Sequence, residues 1–156
     1  MDTQKKQGRY DRIYRQLTNL LTATEDKIAK MATINAVLFH KMDNYFWCGF
    51  YLLRDGELTV GPYQGPVACQ VLEKDKGVCW AGIKTEKSVV VADVEQFPGH
   101  IACDSRSKSE IVIPLKNSEG EIYGVLDVDS KHINSFDETD RMNLERIVGL
   151  LEKVGI

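Results

Sequence analysis

In the segments Glu110–Leu115 and Val125–Asp129, side chains alternate with the period of two that marks a β-strand with one buried face. Ile111, Ile113 and Leu115 form one apolar set, and Leu126 and Val128 form another. Glu110 faces away from the first set, and Asp127 and Asp129 face away from the second. The intervening Asn117-Ser118-Glu119-Gly120 is a turn signal, so the segments are expected to pair as adjacent strands. Pairing gathers Glu110, Asp127 and Asp129 on one face of a sheet and leaves the opposite face apolar. A fold for this chain must cover that apolar face and give the acidic face a different use.

The remaining periodicity supplies the cover. Ile13, Leu17, Leu20 and Leu21 fall at helical spacing. A second helix follows a break at residues 22–25, with Thr24 as its expected cap and Ile28, Met31, Ile34, Ala36 and Leu38 as its apolar side. A last helix is expected from Asp137 to Val154, capped by Ser135 or Asp137, with Ile147, Leu150, Leu151 and Val154 along one side. Between the helices, Tyr45–Leu53 reads as a strand with Phe46, Cys48, Phe50 and Leu52 on one face and Trp47, Gly49, Tyr51 and Leu53 on the other. Arg54-Asp55-Gly56-Glu57 is a hairpin signal, and Leu58–Val60 is the expected return strand. A loop marked by Gly61, Pro62, Gly65 and Pro66 follows, then a short helix over Gly77–Thr85 and a buried strand over Ser88–Ala92. Residues 93–108 read as a long irregular segment, a length usually reserved for function. The order predicts an α+β domain spanning 1–156: a mainly antiparallel sheet, terminal helices on one face and a ligand pocket on the other.

Charge and composition exclude several classes. The chain has 156 residues and a net charge of −3, which argues against a nucleic-acid partner. Its N-terminus lacks the apolar stretch of a signal peptide. No apolar run approaches the roughly 18 residues of a membrane span. A cytoplasmic location is the expectation, and there a cysteine serves catalysis or metal binding more readily than a lasting disulfide.

Cys69, Cys79 and Cys103 lie in polar segments marked by Gly and Pro, where a thiol meets water and substrate, whereas Cys48 sits in an apolar strand and is assigned to packing. Zinc sites usually bring ligands as close pairs. Here nine residues separate Cys69 from Cys79 and 23 separate Cys79 from Cys103, a poor match, so no metal is expected. His100 stands three residues before Cys103 and suits a Cys/His hydrolase, but that chemistry leaves Cys69 and Cys79 idle. A redox cycle, in which one cysteine is oxidised to a sulfenic acid and a second resolves it as a disulfide, uses more of them. Trp47 and Tyr51, with Gly49 between them, add an aromatic wall beside the carboxylates. Taken singly, each of these aromatic and acidic residues has an ordinary structural reading, as core, strand end or surface ion pair. Their joint placement favours a site.

Three segments carry a family resemblance: residues 61–69 (Gly-Pro-Tyr-Gln-Gly-Pro-Val-Ala-Cys), Gly77-Val78-Cys79, and residues 97–104 (Phe-Pro-Gly-His-Ile-Ala-Cys-Asp). With residues 47–51, 109–115 and 124–130, they make the chain resemble the free methionine-(R)-sulfoxide reductases, small enzymes of the GAF fold. The resemblance implies reduction of free L-methionine-(R)-sulfoxide to methionine, with thioredoxin as reductant, no cofactor, and an assembly compatible with a homodimer. It implies Cys103 as nucleophile, Cys69 as main resolving cysteine and Cys79 as a second or auxiliary one. It also implies Glu110, Asp127 and Asp129 as the acids that bind and polarise the substrate, and Trp47 and Tyr51 as the wall around its methyl-sulfur end. The order of Cys69 and Cys79, and the division of work among the acids, stay open at this level. A non-catalytic GAF sensor for a small ligand is the competing reading, because a fold does not fix a function.

Overall fold

The computed structural model describes residues 1–100 and 103–152. Its elements run α1 (Thr3–Leu20), α2 (Lys27–Lys41), β1 (Trp47–Arg54), β2 (Glu57–Gln64), β3 (Val71–Leu72), α3 (Gly77–Thr85), β4 (Val89–Val91), β5 (Ser109–Lys116), β6 (Ile122–Ser130) and α4 (Glu138–Val148), with short 3-10 turns at Val94–Gln96 and Gly149–Leu151. The strands form one sheet in the order β3-β2-β1-β6-β5-β4. Every neighbouring pair is antiparallel. Among the described residues no helix is long and apolar enough to cross a membrane.

The alternation read from the sequence holds on both faces from Trp47 onward; Phe46, expected on the helical face, precedes β1 and lines the cavity beside Trp47 instead. Cys48, Phe50 and Leu52 of β1, Ile111, Ile113 and Leu115 of β5, and Leu126 and Val128 of β6 pack against Tyr10, Ile13 and Leu17 of α1, Met31, Ile34 and Leu38 of α2, and Leu144 and Ile147 of α4. A second apolar layer on the opposite face joins Trp47, Tyr51, Val112 and Val125 to Val78, Cys79 and Trp80 of α3 and to Val94. At roughly 1.5–3 kcal/mol for each fully buried large side chain, burial on the helical face is the main source of stability.

Several expectations shift. The second helix is capped by Asp26, whose Oδ1 accepts from the backbone N–H of Ile28 at 2.8 Å and of Ala29 at 3.2 Å. Thr24 instead accepts from the Asp26 N–H at 3.1 Å, one step earlier in the same turn. The first helix starts at Thr3, because Asp2 caps it by accepting from the Lys5 N–H at 2.8 Å. The β2 strand continues through Gly61 and Pro62, which read as loop, and Val71–Leu72 adds an unforeseen sixth strand beside it. The β4 strand is shorter than expected and forms the edge of the sheet, with Val90 partly exposed rather than buried. Of the two candidate caps for α4, Asp137 is the one used, in a reciprocal capping box with Asp140. The helix ends at Val148, with Leu150 and Leu151 buried in the following turn; Val154 lies outside the described residues, as do Ile101 and Ala102.

A buried polar network ties α1 to α4 and to the entry of β1. Lys6 Nζ lies 2.8 Å from Asp140 Oδ2. The Tyr10 hydroxyl donates to Asp140 Oδ1 at 2.5 Å and meets the Tyr45 hydroxyl at 2.8 Å. Asp140 is fully buried, so removing its cation leaves a carboxylate with no charge partner in a medium of low dielectric. Lys6→Met, which keeps the volume but not the charge, is expected to destabilise the fold by about 3 kcal/mol in urea titration. An unchanged midpoint would show that Tyr10 and the cap alone satisfy Asp140.

Candidate active site

Register sets the floor of the site. Across β1, β6 and β5, Trp47 pairs with Asp129 and Asp129 with Glu110. In the next row of the same face, Gly49 pairs with Asp127 and Asp127 with Val112. The three carboxylates expected on one face are therefore neighbours on it, and they line a single cavity with Trp47, Tyr51, Cys79, His100 and Cys103. Segments on either side of the sheet's acidic face close over it: the β2–β3 loop with Pro66 to Ala68, the start of α3 at Lys76 to Cys79, and the residues around Cys103 and Asp104.

Trp47 is held from three directions. Its ring stacks on Tyr51 at 5.8 Å between centroids and on Tyr63 at 5.2 Å, and its Nε1 donates to the Pro66 carbonyl at 3.1 Å. Tyr63 was not foreseen as part of this wall. It sits on β2 directly across from Gly49, a relation that only the register reveals. Gly49 is required there, since a Cβ would come within 2.3 Å of the Tyr63 Cβ and 2.6 Å of the Trp47 ring. Gly65, at φ +124°, turns the chain so that Pro66 meets the indole. The Tyr51 hydroxyl donates to the Cys69 carbonyl at 2.9 Å. The aromatic wall thus also positions the loop that carries Cys69.

Cys69 and Cys103 are joined as a disulfide, with Cα atoms 5.6 Å apart. The bond links residues 34 apart in sequence and sits where water reaches it, Cys103 being exposed and Cys69 half-buried. Cys79 does not belong with them. It lies in α3, is only 4% exposed and keeps a free thiol, so the reading of three solvent-facing loop cysteines holds for two. Helical periodicity turns Cys79 inward, which the polar segment around it conceals. Cys48 is buried in the helical core as expected, with its Sγ 3.5 Å from Asn35 Oδ1.

Electrostatics in the cavity follow from burial. Glu110 and Asp127 are only 6% and 5% exposed, and Asp129 is half-buried beside them. Burial first, then the charge of Asp127, pushes Glu110 and Asp129 well above the usual carboxylate range. Burial also raises Asp127, but its hydrogen bonding with Glu110 and Cys79 pulls it back. Asp127 is therefore raised less than Glu110 and Asp129, which keep their protons well above the usual carboxylate range. Burial, and then the charge of Asp127, raises the Cys79 thiol well above its usual value, so it stays protonated. His100 Nε2 stands 3.8 Å from Glu110 Oε1, which places the imidazole on the carboxylate cluster; burial lowers its basicity. In the lining of the cavity, Asp104 pairs with Arg106 at 2.7 Å, and that guanidinium holds its carboxyl down to about 2.

Residues 23–153 match the GAF domain family. The chain is 48% identical over 148 residues to GAF domain-containing protein A of Dictyostelium discoideum, covering 94% of this chain and 92% of that protein. It is 38% identical to the free methionine-R-sulfoxide reductase of Escherichia coli, over 93% of this chain and 87% of the relative. The free methionine-R-sulfoxide reductase of Neisseria meningitidis, solved in complex with its substrate, superposes with a TM-score of 0.87 at 41% identity, over 92% of this chain and 86% of that one. An aromatic wall, a carboxylate floor and a disulfide at the mouth fit the catalytic branch of this fold better than a plain ligand-binding one, and the chain belongs to the GAF-domain family of free methionine-(R)-sulfoxide reductases.

Proposed function

We propose that this chain, as one catalytic unit spanning 1–156, reduces free L-methionine-(R)-sulfoxide to L-methionine in the cytoplasm, with thioredoxin restoring its thiols. The observation that carries the reading is the Cys69–Cys103 disulfide at the mouth of a cavity floored by Glu110, Asp127 and Asp129. A small-ligand sensor needs the cavity but has no use for the disulfide.

The residues divide the chemistry. A sulfoxide oxygen leaves only when protonated, and Glu110, held neutral by burial beside Asp127, is the group with a proton to give. Trp47 and Tyr51 take the methyl-sulfur end, and the ionised Asp127 accepts the substrate's ammonium group. Asp129 adds a second acid next to Glu110. The Cys103 thiolate attacks the sulfoxide sulfur and forms a transient S–S bond; the protonated oxygen then passes from the methionine sulfur to the Cys103 sulfur as that S–S bond breaks, so methionine leaves and Cys103 is left as a sulfenic acid. The Cys69 thiol then attacks the Cys103 sulfur, closes the disulfide and releases that oxygen as water. Two thiols are oxidised for each sulfoxide reduced. An external dithiol returns the disulfide to thiols by exchange. Cys79 is buried and protonated, so its part in recycling is auxiliary.

Cys103→Ser is expected to abolish methionine release from the free sulfoxide, followed by chromatography with a thioredoxin system. Cys69→Ser is expected to release about one methionine per chain and then stop, for want of a resolving thiol. Normal multiple turnover in either variant would sink the assignment.

Glu110→Gln tests the acid. Loss of a general acid is expected to lower kcat/KM by roughly 10²–10⁴-fold. Stability should move the other way. Glu110 binds its proton more tightly folded than unfolded, so the folded chain takes up protons between the ordinary carboxylate range and the raised value, and stability falls as pH rises through that window. Glutamine lacks this penalty and is expected to raise Tm at neutral pH, by about 2–4 °C for each kcal/mol recovered. Calorimetry across pH that shows no gain at neutral pH would mean Glu110 is not held protonated.

A further inference from the structure

On the floor of the cavity, two of the carboxylates that serve the proposed redox cycle meet the Cys79 thiol and form with it a donor set of the kind that holds a metal ion. Cys79 in α3, Glu110 in β5 and Asp127 in β6 each present one ligand atom, and these atoms all lie within 4.8 Å of one another. All three side chains are buried. Asp127 Oδ1 is in addition fully enclosed and has no hydrogen-bond partner among the described residues. A buried carboxylate oxygen normally finds a donor or a cation. This one sits in the wall of a cavity, which points to a positively charged guest there.

We propose that this chain binds a thiophilic divalent cation, with Zn²⁺ as the fitting ion, on Cys79 Sγ and on the carboxylates of Glu110 and Asp127. The donor set selects the metal. One sulfur and two carboxylate oxygens suit zinc, whereas magnesium and calcium take oxygen alone. His100 Nε2, 3.8 Å from Glu110, or a water completes four-coordination. Zinc bonds of about 2.0–2.3 Å require the donors to close in slightly, which side-chain rotation allows. Binding replaces protons by the cation: the Cys79 proton, and that of Glu110, pass to the buffer, so affinity rises with pH. Cys79 is a free thiol while Cys69 and Cys103 are disulfide-bonded, so the site does not depend on the state of the redox pair. The ion occupies the floor assigned above to the substrate's polar groups, and it therefore acts as a reversible inhibitor. That consequence rests on the proposed function; the binding itself does not.

The disulfide form makes the test clean, because Cys79 is then the one free thiol lining the cavity and Cys48 lies on the opposite face of the sheet. Full-length oxidised protein titrated with Co²⁺ alone is expected to give a thiolate-to-cobalt charge-transfer band, lost on adding Zn²⁺ and saturating at one ion per chain. Cys79→Ser removes the band, Cys48→Ser keeps it, and Glu110→Gln weakens binding by about 100-fold or more, a ligand counting for at least as much as its outer-shell partners. Circular dichroism of each variant separates loss of the site from loss of the fold. No band in the wild type, or a band that survives Cys79→Ser, overturns the proposal. In the assay with free methionine-(R)-sulfoxide, Zn²⁺ is expected to raise KM and chelation to restore it; an unchanged KM with the band present overturns the inhibitory role. A chain inactive on the sulfoxide overturns the reductase reading alone, because the cobalt spectrum decides the metal site independently of turnover.

Discussion

The β1–β6–β5 register is the constraint on which both halves of the molecule depend. Side chains alternate along a strand, so a slip of one residue between β5 and β6 exchanges the faces of one strand relative to the other. Ile111 and Ile113 would then lie beside Asp127 and Asp129, and Glu110 beside Leu126 and Val128. The present pairing places Glu110 opposite Asp129 and Ile111 opposite Val128. It is enforced from the helical side, where fully buried Ile111, Leu126 and Val128 pack against the terminal helices and leave no tolerance for a carboxylate. The core thus determines where the acids go, although the acids contribute nothing favourable to the core.

Three carboxylic groups on one buried face oppose folding. Each loses water, and once one is ionised the others resist ionisation, so protons are retained that the unfolded chain would release. The opposite face supplies the compensation. Its apolar layer is continuous from α1 through the sheet to α4, and the Lys6–Asp140–Tyr10–Tyr45 network closes it at the end where β1 begins. Tyr45 stands two residues before Trp47, so the same network fixes the strand from which the aromatic wall rises. Stability accumulated on one side of the sheet maintains an electrostatically costly arrangement on the other.

The faces of the strands were legible because alternation is a local property. Glu110, Asp127 and Asp129 could be grouped, and Trp47 separated from Cys48, without knowing any tertiary contact. What depended on the third dimension was less legible. Tyr63 joined the aromatic wall through its pairing with Gly49, which no spacing in the sequence announces. The exposed Val90 looked interior because an all-valine run does not say whether its strand lies at an edge. Cys79 was grouped with two loop cysteines on the texture of its neighbours, whereas the helix it lies in turns it inward. Thr24 and Asp26 are both good capping residues two positions apart, and the choice between them falls to the first helical turn.

The placement of Cys79 separates two roles that composition had merged. A redox thiol must reach a substrate sulfur, a second cysteine and an external dithiol in turn, which demands exposure and a movable backbone. In the proposed cycle Cys69 and Cys103 have that access, half-buried and exposed respectively on irregular segments at the cavity mouth. Cys79 is fixed by a helix and pressed against Asp127, so its proton is hard to remove and its sulfur is shielded from a protein reductant. The features that disqualify it as a fast nucleophile — rigidity, enclosure and adjacent carboxylates — are those expected of a metal ligand, for which a divalent ion displaces the proton that water does not.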